Sequence, residues 1–133
     1  MRIAPDLLDT IVEHARRDAP NECCGMVATR DGAAVSVHAA ENTAASPFRF
    51  EVDGMELHRT LTEIEDAGFE LGAIYHSHTR SEPFPSQTDV NFAANWPGVE
   101  WIIVGLANGD EPVVRSYLIG QDGAISEVPV DVG

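Results

Sequence analysis

Leu71-Gly72-Ala73-Ile74-Tyr75-His76-Ser77-His78 runs, through Thr79-Arg80-Ser81-Glu82-Pro83-Phe84-Pro85, into Ser86-Gln87-Thr88-Asp89. The first stretch reads as a strand, apolar at its start and polar at its end. The second reads as a loop, because two prolines and a short polar cluster allow little else. The third opens a helix over 86–95, stopped near Pro97-Gly98. Residues two apart in a strand share a face, so His76 and His78 are presented side by side. Asp89 follows on the first helical turn. Two histidines and one carboxylate are the ligand set of a catalytic zinc whose fourth position is left for water. Zinc lowers the pKa of such a water to about 7.

Each part alone has a plainer meaning. A histidine at a strand end is usually a polar rim residue, and Ser86-x-x-Asp89 has capping-box spacing. The two readings coexist if Ser86 begins the helix while Asp89 faces a metal. The combination, H-x-H then seven residues then S-x-x-D, joins the residue types that zinc chemistry needs.

The same reading extends outward. Leu7, Leu8, Ile11, Val12 and Ala15 fall on one helical face over 5–18, with Pro5 suited to the first turn and Pro20-Asn21 ending it. Strands are expected at 23–29 and 34–40 around the hairpin signal Arg30-Asp31-Gly32, and at 48–52. Asp53 to Ala67 reads as a helix with Asp53 and Glu56 at capping-box spacing, a stripe of Leu57, Leu61 and Ile64, and Gly68 as its stop. Later strands are expected at 101–107, 113–119 and 124–130, with turns at Asn108-Gly109 and Asp122-Gly123. About seven strands and three helices in mixed order favour an α/β or α+β layered fold.

The 133 residues carry no repeat, low-complexity tract or linker, so one domain over 1–133 is expected. Eight Lys+Arg against 22 Asp+Glu give a net charge of −14, which disfavours nucleic acid and anionic membrane surfaces as partners. No apolar run approaches the roughly 20 residues of a membrane span, and no secretory leader is read. Cys23 and Cys24 are neighbours and a poor source of a disulfide, which points to a reducing, cytoplasmic setting. His14, His38 and His58 read as surface or rim residues, Trp96 and Trp101 as packing residues, and Cys24 as a core residue.

His76-x-His78-x7-Ser86-x2-Asp89, with Ile74-Tyr75 before it and Val90 after it, resembles the JAMM motif of the MPN-plus metalloprotease family. The resemblance implies a curved mixed sheet flanked by helices, like that of cytidine deaminases. It implies one catalytic zinc ion held by His76, His78 and Asp89. Glu22, in Asn21-Glu22-Cys23-Cys24-Gly25, matches the upstream glutamate of that family, although nothing else singles it out among 22 acidic residues. By resemblance Glu22 takes the proton of the attacking water and passes it to the leaving amine. Ser86 then hydrogen-bonds the oxyanion. A deaminase itself is excluded, since it needs P-C-x-x-C and the chain has no C-x-x-C.

A closer resemblance is to the short bacterial JAMM hydrolases of cysteine biosynthesis. It runs through Glu13 to Asp18, Pro20 to Gly25, Ile74 to Thr79, Pro85-Ser86, Thr88 to Val90, Arg115 to Tyr117 and Asp122 to Ala124. It implies a ubiquitin-like sulfur-carrier protein ending in Gly-Gly as partner, and release of cysteine from that end. Phe84, between two prolines, is a candidate substrate-binding residue that would either cover the substrate tail or pack the loop down. An extended tail is expected to add along a sheet edge near the metal. The alternatives are a protease for another ubiquitin-like protein and a noncatalytic binding module, the latter disfavoured by intact Glu22 and Ser86.

Overall fold

Apolar strands and amphipathic helices assemble into three layers in the computed structural model, which describes residues 1–107 and 111–133. The elements are β1 (Arg2–Ile3), α1 (Pro5–Asp18), β2 (Cys24–Arg30), β3 (Ala33–Ala40), α2 (Gly54–Asp66), β4 (Glu70–His78), α3 (Gln87–Ala93), β5 (Glu100–Gly105), β6 (Val113–Ile119), β7 (Ile125–Val128) and β8 (Asp131–Val132). The strands form one mixed sheet in the order β7-β6-β5-β4-β2-β3-β1-β8. β4 lies parallel to β5 and antiparallel to β2. A parallel pair needs a long crossover, and the loop and α3 supply it.

Period-two alternation sorts the strands into two faces. Ala73 and Tyr75 point to the layer of α1, where Ile11 and Ala15 pack with Val27, Ile102 and Val104. Ile74 points the other way, into a cluster with Trp101, Ile103, Tyr117 and Ala93 of α3. Ile64 of α2 covers Met26 and Ala28 on that same face. His76 and His78 therefore share their face with α2 and α3, and α1 closes the opposite one.

The local signals are realised in detail. Pro5 occupies the first turn of α1. Asp31 and Gly32 both take positive φ, 52° and 78°, which is the turn that joins β2 to β3 without splaying them. Asp53 caps α2 by accepting the Glu56 N–H at 3.3 Å. Glu56 does not reciprocate; its carboxylate accepts the Glu41 N–H at 2.9 Å. The expected turn at Asn108-Gly109 lies outside the described residues.

Two expectations need correction. The segment 48–52 is not a strand. Asn42 takes over its polar groups: its Nδ2 donates to the Arg49 carbonyl at 3.0 Å and its Oδ1 accepts the Glu51 N–H at 3.0 Å. The two ends of the chain form the short strands β1 and β8, which pair in parallel with each other. His14 is not a rim residue. It is 5% exposed, with Nδ1 at 2.7 Å from the Tyr75 hydroxyl and Nε2 at 3.1 Å from Asp18 Oδ2. Tyr75 fills the space left by Gly25, where an added Cβ would sit 2.3 Å from its ring. Trp101 and Cys24 are fully buried, as packing residues should be.

Candidate metal centre

β4 delivers its two histidines at its C-terminal end, with Ser77 between them facing the α1 layer. Ser77 Oγ accepts the Cys23 N–H at 2.8 Å, and the Ser77 N–H donates to the Cys23 carbonyl at 3.3 Å. The stretch that carries Glu22 is thereby tied to the strand that carries the imidazoles. The Glu22 N–H donates to the Ser46 carbonyl at 2.9 Å, and Asn42 Nδ2 donates to the Glu22 carbonyl at 2.9 Å. Phe50 stacks on His76 at 4.7 Å between ring centroids and holds the ring plane.

Ser86 begins α3 as its N-cap. Its Oγ accepts the Asp89 N–H at 3.1 Å, and its own N–H donates to Asp89 Oδ2 at 2.9 Å. The capping box and the carboxylate that meets the two imidazoles are thus one arrangement rather than alternatives. Asp89 is buried, while Ser86 is exposed. The Ser86 hydroxyl is used as an acceptor in the cap, so its proton is left to donate elsewhere.

His76 Nε2 and His78 Nε2 lie 3.1 Å apart, and Asp89 Oδ2 lies 3.1 and 3.3 Å from them. Four ligands set tetrahedrally at about 2.0–2.1 Å from zinc stand about 3.3 Å from one another. The three observed edges fit that figure. His78 Nδ1 donates to the Glu82 carbonyl at 2.8 Å, which leaves the Nε2 lone pair free to face the shared point. Glu22 is also close: it offers a carboxylate oxygen within 4.8 Å of both imidazoles. Two carboxylates therefore compete for the third ligand position.

Charge separates them. Burial raises the Asp89 carboxyl, but His76, His78 and the Ser86 N–H together hold it far below the ordinary carboxylate range. It is the anion of the cluster. Burial pushes Glu22 up to about 7, opposed by His78 and assisted by the charge of Asp89. A carboxyl poised near neutrality suits proton transfer better than ligation. Burial pulls His76 below the ordinary histidine value. It also pulls on His78, where hydrogen bonds to Asp89 and the Glu82 carbonyl outweigh it and leave the imidazole raised. Asp89 with the two histidines fits a zinc, and Glu22 fits a base beside it.

Glu22, His76, His78, Ser86 and Asp89 are all brought to one end of β4. Phe84 is 54% exposed and meets Tyr117 edge-on at 5.6 Å, on the wall of a neighbouring cleft. Cys24 pairs with His76 in the ladder and points to its face, yet burial pushes its thiol up to about 12, as for Cys23. That is a core thiol, not a thiolate ligand. β5 flanks β4 as far as His78, whose carbonyl accepts the Leu106 N–H at 3.0 Å, whereas the β2 ladder ends at Cys24 opposite His76. Ser77, Phe50 and Asn42 were not singled out by sequence. Only Ser77 had a local signal, its place between the two histidines.

Residues 4–120 match the family described as prokaryotic homologs of the JAB domain. The CysO-cysteine peptidase of Mycobacterium tuberculosis is 38% identical over 132 residues, which cover 98% of this chain and 89% of that protein. The desampylase of Haloferax volcanii is 38% identical over 110 residues, 77% of this chain and 78% of that protein. The solution structure of DSY2949 from Desulfitobacterium hafniense superposes with a TM-score of 0.84 at 28% identity, covering 100% of this chain and 93% of that one.

Proposed function

The chain belongs to the prokaryotic JAB-domain family, and from that membership we propose that it is a metal-dependent hydrolase cutting the amide bond after the C-terminal Gly-Gly of a small ubiquitin-like sulfur carrier, with release of cysteine. The observation that carries the reading is the convergence of His76 Nε2, His78 Nε2 and Asp89 Oδ2 at mutual distances of 3.1 to 3.3 Å beside the buried carboxyl of Glu22. The M. tuberculosis relative, matched over 98% of this chain, supports cysteine as the leaving group. The desampylase match at the same identity supports a second reading, cleavage of another conjugate, over a shorter 77% of the chain.

His76, His78 and Asp89 would hold one zinc ion, which polarises water and the carbonyl of the bond to be cut. Glu22 takes a proton from the attacking water as the new C–O bond forms. It then gives that proton to the departing amine nitrogen as the C–N bond breaks. Ser86 donates its hydroxyl proton to the carbonyl oxygen as that oxygen gains negative charge. The products are a carrier ending in a Gly carboxylate and free cysteine. A binding module would need neither Glu22 poised near neutrality nor Ser86 exposed beside Asp89.

The whole of 1–133 serves as one catalytic domain in this reading. Among the described residues, no helix is long and apolar enough to cross a membrane. Cys23 and Cys24 are free and buried, which suits a cytoplasmic setting.

The test is the intact mass of a sulfur carrier ending in Gly-Gly-Cys, before and after incubation with the zinc-loaded protein. The expected result is loss of one cysteine residue, abolished by a chelator and by Glu22→Gln. An unchanged carrier in the presence of one bound zinc would overturn the substrate.

A further inference from the structure

A second cleft is lined by the 81–84 loop, whose Glu82 carbonyl meets His78 of the metal centre. Its volume is about 380 Å³, and loop residues Pro83 and Phe84 face Arg115, Tyr117 and Glu127 across it. The cleft is built onto the site rather than merely near it. The Glu82 carbonyl that orients His78 belongs to its wall. The Tyr117 hydroxyl donates to the Pro83 carbonyl at 2.6 Å, and Pro83 seats over Gly105, where an added Cβ would meet it at 2.9 Å. Gly105 is the ladder partner of His78.

His76 pairs with Ile103, and Ile103 pairs with Arg115, so all three point to the same face. Two strand spacings put Arg115 about 10 Å from His76 across the sheet. An arginine side chain and the backbone of one amino acid together span that gap. Arg115 is the one cation among the described residues lining the cleft, in a chain of net charge −14. Glu127 engages only its Nη1, at 3.3 Å from both carboxylate oxygens, and both side chains are about half exposed. Such a pair is weak and readily exchanged for another carboxylate.

We propose that Arg115 binds the free α-carboxylate of the leaving amino acid in this cleft, so that the site selects release of a single C-terminal residue over cleavage of a link to a lysine side chain. The proposal rests on the hydrolase reading above. The amine nitrogen of the leaving residue lies at the metal centre, and its carboxylate, two bonds further on, points toward β6. The side chain of the leaving residue meets Phe84 and Tyr117. The acyl side is left to the opposite cleft, about 480 Å³, lined by Thr43, Phe50, Asp89 and Phe92.

The experiment compares kcat/KM for two zinc-dependent substrates with the same carrier: one ending in Gly-Gly-Cys with a free carboxylate, the other with a C-terminal carboxamide. Wild type is expected to prefer the acid by about tenfold or more, about 1.4 kcal/mol. Arg115→Gln should hydrolyse both at the carboxamide rate, with the loss in KM rather than kcat. Glu127→Gln, which leaves the guanidinium in place, should keep the preference. Equal rates for both substrates with wild type, or a preserved preference in Arg115→Gln, would overturn the assignment. Hydrolysis of neither substrate, with one zinc bound, would overturn the cysteine-carrier substrate instead, and this assignment with it.

Discussion

Ser77 Oγ accepts the Cys23 N–H at 2.8 Å, on the opposite side of the sheet from the two imidazoles that flank Ser77 in sequence. With the Ser77 N–H to Cys23 carbonyl bond, it ties the Glu22 segment to the strand that carries the imidazoles. Both partners are fully buried, so its loss is not made good by water. Ser77→Ala is expected to lower stability by about 1–3 kcal/mol, the cost of an unsatisfied buried donor. Urea denaturation measures this. Bound zinc should remain near one equivalent, while hydrolysis falls by more than the folded fraction does, because Glu22 loses its register.

His14 links α1 to the sheet through Tyr75 and contributes a pH-dependent part of stability. Burial holds its pKa below the ordinary histidine value of about 6.5, against the raising effect of Asp18. Protons are therefore bound more readily by the unfolded chain. The stabilising contribution is present above about pH 6.5 and is lost as pH falls through that value toward the folded pKa. The stability difference between wild type and His14→Gln, measured by urea denaturation, should shrink from pH 7.5 to pH 5.5. A difference that stays constant or grows over that range would contradict the sign.

Zinc binding should release protons near neutrality. Burial places Glu22 at about 7, so it carries a proton in part at pH 7, and hydrogen bonds raise His78 above the ordinary value despite its burial. A cation between the imidazoles disfavours those protons. Calorimetry in buffers of different ionisation enthalpy reads the number released. Glu22→Gln should reduce it at pH 7 and leave binding itself intact.

The parts of the site that were legible in sequence are those built by local geometry. A strand places His76 and His78 together by period two, and a helix start places Ser86 and Asp89 together by capping distance. Glu22 has no such local signal. It reaches the site because β2 lies antiparallel to β4, with Cys24 opposite His76, and only family resemblance pointed to it. The failures have the same cause. Phe48, Phe50 and Val52 alternate as a strand does, but Asn42 occupies the backbone groups that a ladder would use. His14 lies on the Ile11–Ala15 side of α1, yet its partner Tyr75 is 61 residues away. β1 and β8 span two residues each, too few to carry a period.

The central claim is the division of labour between two carboxylates beside the same imidazoles, and zinc stoichiometry tests it most directly. Wild type, Glu22→Gln and Asp89→Asn would each be loaded with zinc, dialysed and assayed for metal by mass spectrometry, with folding checked by circular dichroism. Wild type and Glu22→Gln are predicted to retain one equivalent, with hydrolysis in Glu22→Gln reduced by about 10²–10⁴-fold, whereas folded Asp89→Asn loses most of its zinc. Zinc retained by Asp89→Asn and lost by Glu22→Gln would reverse the two roles and contradict the account.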